Sequence, residues 1–161
     1  MTVKTVIADY QNPRHAEAIV MLLDSYATDP MGGGQSLPDH VKSNLVAELA
    51  RIPGAFSVLS FVDDLPAGLV NCLMSFSSFT CKPVVNIHDI VTAAAYRGQG
   101  LSQALMQVVE QEARARGCGK ITLEVLEGNK VAQGAYKKFG FAGYQLDPQM
   151  GHALFWQKPL K

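Results

Sequence analysis

Two glycines at the junction between an apolar strand and an amphipathic helix constrain this chain more than any other feature. The stretch Tyr96-Arg97-Gly98-Gln99-Gly100-Leu101-Ser102 follows the apolar run Val84 to Thr92 and opens a helical pattern. Gly98 and Gly100 carry no Cβ to oppose a positive φ or to hold a ligand off the main chain, so successive N–H groups can turn toward one anion. The helix adds its own unpaired amides and the positive end of its dipole. Leu101, Leu105, Val108 and Val109 recur at i, i+4, i+7 and i+8, a stripe that one helix face buries, while Gln103, Gln107, Glu110 and Arg114 fall largely outside it. Arg97 brings a fixed positive charge to the mouth. The segment reads as an anion cradle capping a helix.

Gly-x-Gly alone is a weak signal, and two better-known phosphate loops are excluded. A nucleoside-triphosphate loop needs Gly-Lys-Ser/Thr, which does not follow Gly100, and a dinucleotide fingerprint needs a small residue where Gln103 stands.

The window Ala95-Tyr96-Arg97-Gly98-Gln99-Gly100 instead resembles the coenzyme A signature of the GNAT N-acetyltransferase family, Gln/Arg-x-x-Gly-x-Gly/Ala. Ala95 departs from it, because it cannot supply the usual polar side chain. A second block, Asn129-x-x-Ala132-x-x-x-Tyr136-x-x-x-Gly140-Phe141, is also similar to the family. Together with the intervening helix and strand, the two blocks cover roughly the C-terminal two-fifths of the chain. The resemblance implies an α+β (three-layer α/β) acyl-CoA N-acyltransferase fold, with a mixed central sheet of six to seven strands flanked by about four helices, over residues 1–161 as a single domain. It implies acetyl-CoA as cosubstrate and no metal. Ile90, Val91 and Thr92 would then offer backbone groups to the pantetheine amides. The amides from Arg97 through Gly98, Gln99, Gly100 and Leu101 to Ser102 would hold the pyrophosphate. A bulge near Val91 would free an N–H for the thioester carbonyl, and Asn129, Ala132 and Tyr136 would line the coenzyme arm.

The order of elements agrees. Thr2 to Asp9 alternates as a first strand, and Pro13 to Thr28 forms a helix with Asn12 as cap and Ile19, Leu22, Leu23 and Tyr26 on one side. A loop with little restraint, Asp29-Pro30-Met31-Gly32-Gly33-Gly34, leads to a helix from Asp39 to Arg51. Ala55 to Val62 and Ala67 to Phe76 make a hairpin around Asp63-Asp64-Leu65-Pro66, and Val84 to Thr92 enters the glycine loop. Lys120 to Val125 follows the long helix, Asn129 to Phe139 is a short helix, and Phe141 to Leu146 and Leu154 to Lys158 are the last two expected strands.

Composition limits the alternatives. Fourteen basic and fourteen acidic residues leave no bulk attraction for nucleic acid or an anionic membrane, and neither partner is expected. Three cysteines, Cys72, Cys81 and Cys118, without Cys-x-x-Cys spacing argue against a disulfide framework or a zinc site and for reduced thiols in the cytoplasm. No run reaches the ~18 apolar residues that span a bilayer.

Attack by an amine on a thioester needs the neutral amine, and deprotonating a lysine-like amine at pH 7 costs about 4 to 5 kcal/mol. His88 and Asp89 precede the implied thioester position, and alternation sends them to opposite faces, so one of them faces the substrate. His88 has the better intrinsic pKa for a base, and Asp89 can orient a water or bind a cationic substrate; a hydrogen-bonded structural role for both is the other reading. Tyr136 can protonate the departing thiolate, and its alternative is core packing. Asn129 doubles as a helix cap. The expected activity is direct acetyl transfer to a primary amine, with a small molecule as the expected acceptor and antibiotic, free amino acid and protein amines left open, without an acyl-cysteine since no cysteine lies in either block. The alternatives are a non-catalytic acetyl-CoA-binding or regulatory module, and a transferase of larger acyl groups. Many members of the family are dimers, so a homodimer is implied by the resemblance alone.

Overall fold

Cap chemistry and strand pairing divide the chain into its elements. The computed structural model describes residues 1–160, in two compact units, Met1–Leu123 and Glu124–Lys161, which are taken separately. In the first, strand β1 (Val3–Ile7) leads to helix α1 (Pro13–Thr28), where Asn12 accepts a 3.0 Å bond from the Arg14 N–H and Pro13 takes the first helical position. A short 3-10 turn, Pro30–Gly32, precedes helix α2 (Asp39–Arg51). Strands β2 (Phe56–Val62) and β3 (Leu65–Ser77) form a hairpin whose turn is only Asp63 and Asp64, at φ 46° and 66°. Aspartate tolerates this left-handed pair, so β3 starts two residues earlier than its expected start at Ala67. Strand β4 (Lys82–Thr92), helix α3 (Leu101–Ala115) and strand β5 (Lys120–Leu123) complete the unit.

The sheet order is β1-β2-β3-β4-β5, antiparallel throughout except for β5, which runs parallel to β4 after the α3 crossover. Helices lie on both faces. Ile19 and Leu22 of α1 and Leu49 of α2 pack with Leu59, Leu69 and Val91. On the opposite face α3 buries Leu101, Leu105, Met106, Val109 and Ala113. A Cβ on Gly68 would fall 2.8 Å from Leu105 Cδ1, so the bare glycine lets α3 close onto β3.

In the second unit, helix α4 (Lys130–Phe139) is capped by Asn129, which accepts from the Ala132 N–H at 3.1 Å. Its end closes on Gly140, whose N–H bonds the Tyr136 and Lys137 carbonyls. The Phe141 ring meets Tyr136 edge-on and stacks with Phe139, each at 6.1 Å between centroids.

The expected strands over 141–146 and 154–158 do not form among the described residues, so the sheet has five strands and not six to seven. One isolated bridge joins Gln145 to His152, a residue ahead of the second expected strand. Asp147 accounts for this locally. Its carboxylate takes the Gln149 N–H at 2.8 Å, and its carbonyl takes those of Met150 and Gly151 at 2.9 and 3.1 Å. The chain thereby satisfies its donors in a turn, and a lone hairpin has little stability of its own. The four helices agree with the expected number.

Candidate functional site

The glycine loop starts where β4 loses a neighbour. On one side, Ile90, Val91 and Thr92 pair with Val70, Leu69 and Gly68 of β3. On the other, the ladder to β5 ends at Ile87 opposite Leu123, so among the described residues the following β4 residues have no strand partner on the edge toward β5. Backbone groups on such an edge can accept an extended, amide-bearing ligand as they would another strand.

Past Thr92 a short 3-10 turn, Ala94–Tyr96, brings the chain to Arg97 and the glycines. Gly98 and Gly100 stand at φ 75° and 80°, and nothing lies within 4 Å of the point where either would carry a Cβ. Gly100 caps α3 with no side-chain bond, while its carbonyl receives the Gln103 and Ala104 amides. The N–H groups of Gly98, Gln99, Gly100, Leu101 and Ser102 donate to no acceptor among the described residues. Leu101, 3% exposed, anchors the turn in the core. A run of unpartnered amides beside open space, at the positive end of a 15-residue helix, fits a phosphate group.

Arg97 is engaged more than the sequence suggests. Its Nη2 meets Asp29 Oδ2 at 3.2 Å, and its Nε donates to the Thr92 carbonyl at 3.4 Å. The Met31 backbone N–H, and after it Arg97, hold the Asp29 carboxyl below its ordinary range. The α1–α2 loop is thus tied to the glycine turn.

His88 and Asp89 differ in exposure, and a bulge rather than plain alternation sets their positions. Asn71 pairs with Asp89 and the next residue, Cys72, with Ile87, leaving His88 as the extra residue of a bulge. The expected bulge near Val91 therefore lies at His88. Without it Ile87, Asp89 and Val91 would share one face; with it Asp89 stays with Val91 on the side of α1 and α2 while Ile87 takes the other face. His88 is exposed, whereas Asp89 is half-buried and takes a 3.0 Å bond from Asn71 Nδ2. Sequence reasoning passed over Asn71, although an asparagine within the apolar run Ala67 to Phe76 is a legible signal. It also gave Asp29 no partner, since the ion pair spans 68 residues.

Asn129, Ala132 and Tyr136 lie on or beside α4 in the second unit. Asn129 is the helix cap, Ala132 supplies the amide it binds, and Tyr136 is half-buried against Phe141. Among the described residues no three His, Cys, Asp or Glu side chains gather as a metal site, and no helix is long and apolar enough to cross a membrane.

The family model "Acetyltransferase (GNAT) family" matches residues 19–141, which span both units. The chain is 36% identical over 94 residues to streptothricin acetyltransferase of Streptomyces lavendulae, covering 53% of this chain and 49% of that one. It is 36% identical over 97 residues to thialysine N-epsilon-acetyltransferase of Bos taurus, covering 60% and 53%. The chain spans about half the length of the curated relatives it matches. The crystal structure of a probable acetyltransferase superposes with a TM-score of 0.80 at 25% identity over 98% of both chains. The fold is also that of AAC(6')-Iy in complex with the bisubstrate analog CoA-S-monomethyl-acetylneamine, at TM-score 0.77 and 17% identity over 99% of this chain and 100% of that one. Glycine cradle, open β4 edge and family match agree: this chain belongs to the acetyltransferase (GNAT) family.

Proposed function

We propose that the protein is an N-acetyltransferase that binds acetyl-CoA at the glycine turn and transfers its acetyl group to a primary amine of a small molecule. The observation that carries this function is the set of unpartnered amides from Gly98 to Ser102, opening onto free space at the start of α3. These amides would hold the pyrophosphate, and Arg97 would add charge by exchanging Asp29 for the ligand. The open edge of Ile90, Val91 and Thr92 suits the amides of the pantetheine arm. Acetyl-CoA supplies an acyl group activated as a thioester. Net, an N–C bond replaces the C–S bond, the amine gives up a proton and the sulfur takes one.

Asp89 is the group suited to receive or orient the amine: it is a half-buried carboxylate beside the open edge. His88, exposed at the bulge, is the nearest imidazole in sequence and can take the proton from solvent side. The family resemblance gives Tyr136, on the helix that Asn129 caps through the Ala132 amide, the role of proton donor. The acceptor class follows the relatives' names, so thialysine, lysine, streptothricin and an aminoglycoside form the first panel.

The test is release of coenzyme thiol on mixing protein, acetyl-CoA and each amine, with product mass measured. Acetylated product from one amine is the expected result. Acetyl-CoA binding without product from any primary amine would favour a binding module, and neither binding nor product would overturn the assignment.

A further inference from the structure

The α1/α2 face of the sheet carries two successive cross-strand rows of opposite character. Leu59 pairs with Leu69, and Leu69 with Val91, giving an apolar row in the core. Two residues further along each strand, Ser57 pairs with Asn71, and Asn71 with Asp89. Ser57 and Asn71 are 0% and 2% exposed. Burying a hydroxyl and an amide in place of leucines is costly unless every polar atom is bonded.

Here the bonds run in one line. Tyr10 Oη lies 2.9 Å from Ser57 Oγ, Ser57 Oγ donates to Asn71 Oδ1 at 2.6 Å, and Asn71 Nδ2 donates to Asp89 Oδ2 at 3.0 Å. The direction follows from the carboxylate end. An ionised carboxylate only accepts, so Asn71 turns its nitrogen to Asp89 and its carbonyl to Ser57. Ser57 gives that carbonyl its single proton and must therefore accept from Tyr10. All donors point toward Asp89, and each polarises the next. The other oxygen of Asp89 has no hydrogen-bond partner among the described residues. Burial pushes the Tyr10 phenol up, which keeps it a donor.

Resting on the acetyltransferase reading above, we infer that Tyr10, Ser57 and Asn71 are positioning residues that hold one oxygen of Asp89 from inside the sheet and leave the other for a cationic amine acceptor. Tyr26 of α1 and Cys72 of β3 are within electrostatic reach of Asp89, Arg116 is within reach of Tyr10 and Cys72, and His88 adjoins Asp89 on β4.

The test is a graded series, Asn71→Leu, Ser57→Ala and Tyr10→Phe, read with one amine acceptor and by NMR of the Asn71 side-chain amide. Loss of acceptor kcat/KM should decline along the row, from about thirtyfold for Asn71→Leu to about twofold for Tyr10→Phe, with KM for acetyl-CoA unchanged. Ser57→Ala, which leaves Asn71 and Asp89 intact, should move the Asn71 amide protons upfield because their donor weakens. Asn71→Asp sets two carboxyls at hydrogen-bond distance, and their shared proton should move the acidic limb of the acceptor profile up by about 1 unit or more. An unmoved Asn71 amide in Ser57→Ala overturns the row. Equal losses for both substrates, or an acidic limb unmoved in folded Asn71→Asp, overturn its role toward the acceptor. If wild type neither binds acetyl-CoA nor acetylates an amine, the acetyltransferase assignment fails, while the amide resonance still decides whether the row is polarised.

Discussion

Gly100 allows strain and ligand binding to be separated. It stands at φ 80°, ψ 5° with no heavy atom within 4 Å of a Cβ position, so Gly100→Ala meets no clash and its cost is the left-handed backbone. That cost is about 1–2 kcal/mol, which lowers the thermal midpoint of a chain this long by about 2–8 °C. Gly117, at φ 71° and equally open, sits beyond the other end of α3 and is the matched control. Saturation with acetyl-CoA at about 100 times Kd adds about 2.7 kcal/mol, or about 5–11 °C. Scanning calorimetry of wild type, Gly100→Ala, Gly100→Glu and Gly117→Ala, with and without acetyl-CoA, should show similar losses in both alanine variants. Only Gly117→Ala should keep the full ligand shift. Gly100→Glu should fall to a shift under about 1 °C, its carboxylate occupying the amides and recovering part of the strain as a helix-start charge. A full ligand shift in Gly100→Glu would refute the cradle.

Two further outcomes follow from charge and burial. The Leu37 backbone N–H, then Lys42 and Ser36, hold Asp24 below the ordinary carboxylate range, as the Met31 N–H and Arg97 hold Asp29. A folded pKa below the unfolded one gives stability that is complete above the unfolded carboxylate range and lost as pH falls through the folded value. Asp24→Asn and Asp29→Asn should therefore lower the midpoint at pH 7 and flatten its fall below about pH 5; parallel curves for variant and wild type would contradict both networks. Burial pushes the Cys72 thiol far up, whereas Cys81 is exposed. Under limiting alkylation, peptide mass spectrometry should find Cys81 labelled first and Cys72 only on unfolding. Equal rates would mean that β3 is not packed as described.

Signals confined to neighbouring residues were legible. Asn12 with Pro13 sets the start of α1, the 3.6 period of Leu101 and Leu105 orients α3, and Asn129 begins α4. The glycine turn was readable because a positive φ and an uncapped helix start are properties of a few consecutive residues. Val108 in the expected stripe is only half-buried, and Met106 takes the deeper place, since the exact face depends on what α3 meets. The last two strands failed because apolar alternation states that a segment can pair, not that a partner is there.

By itself, then, the sequence determined the helix boundaries, the glycine turn and the family resemblance, all of which rest on short-range chemistry. Tertiary structure alone decided that His88 bulges, that Ile87 and Asp89 consequently take opposite faces, that Asn71 and Ser57 reach Asp89, and that Asp29 meets Arg97. Each of these is a register or a contact between segments distant in the chain. A one-residue slip of register reverses every side chain of a strand while leaving its pattern unchanged.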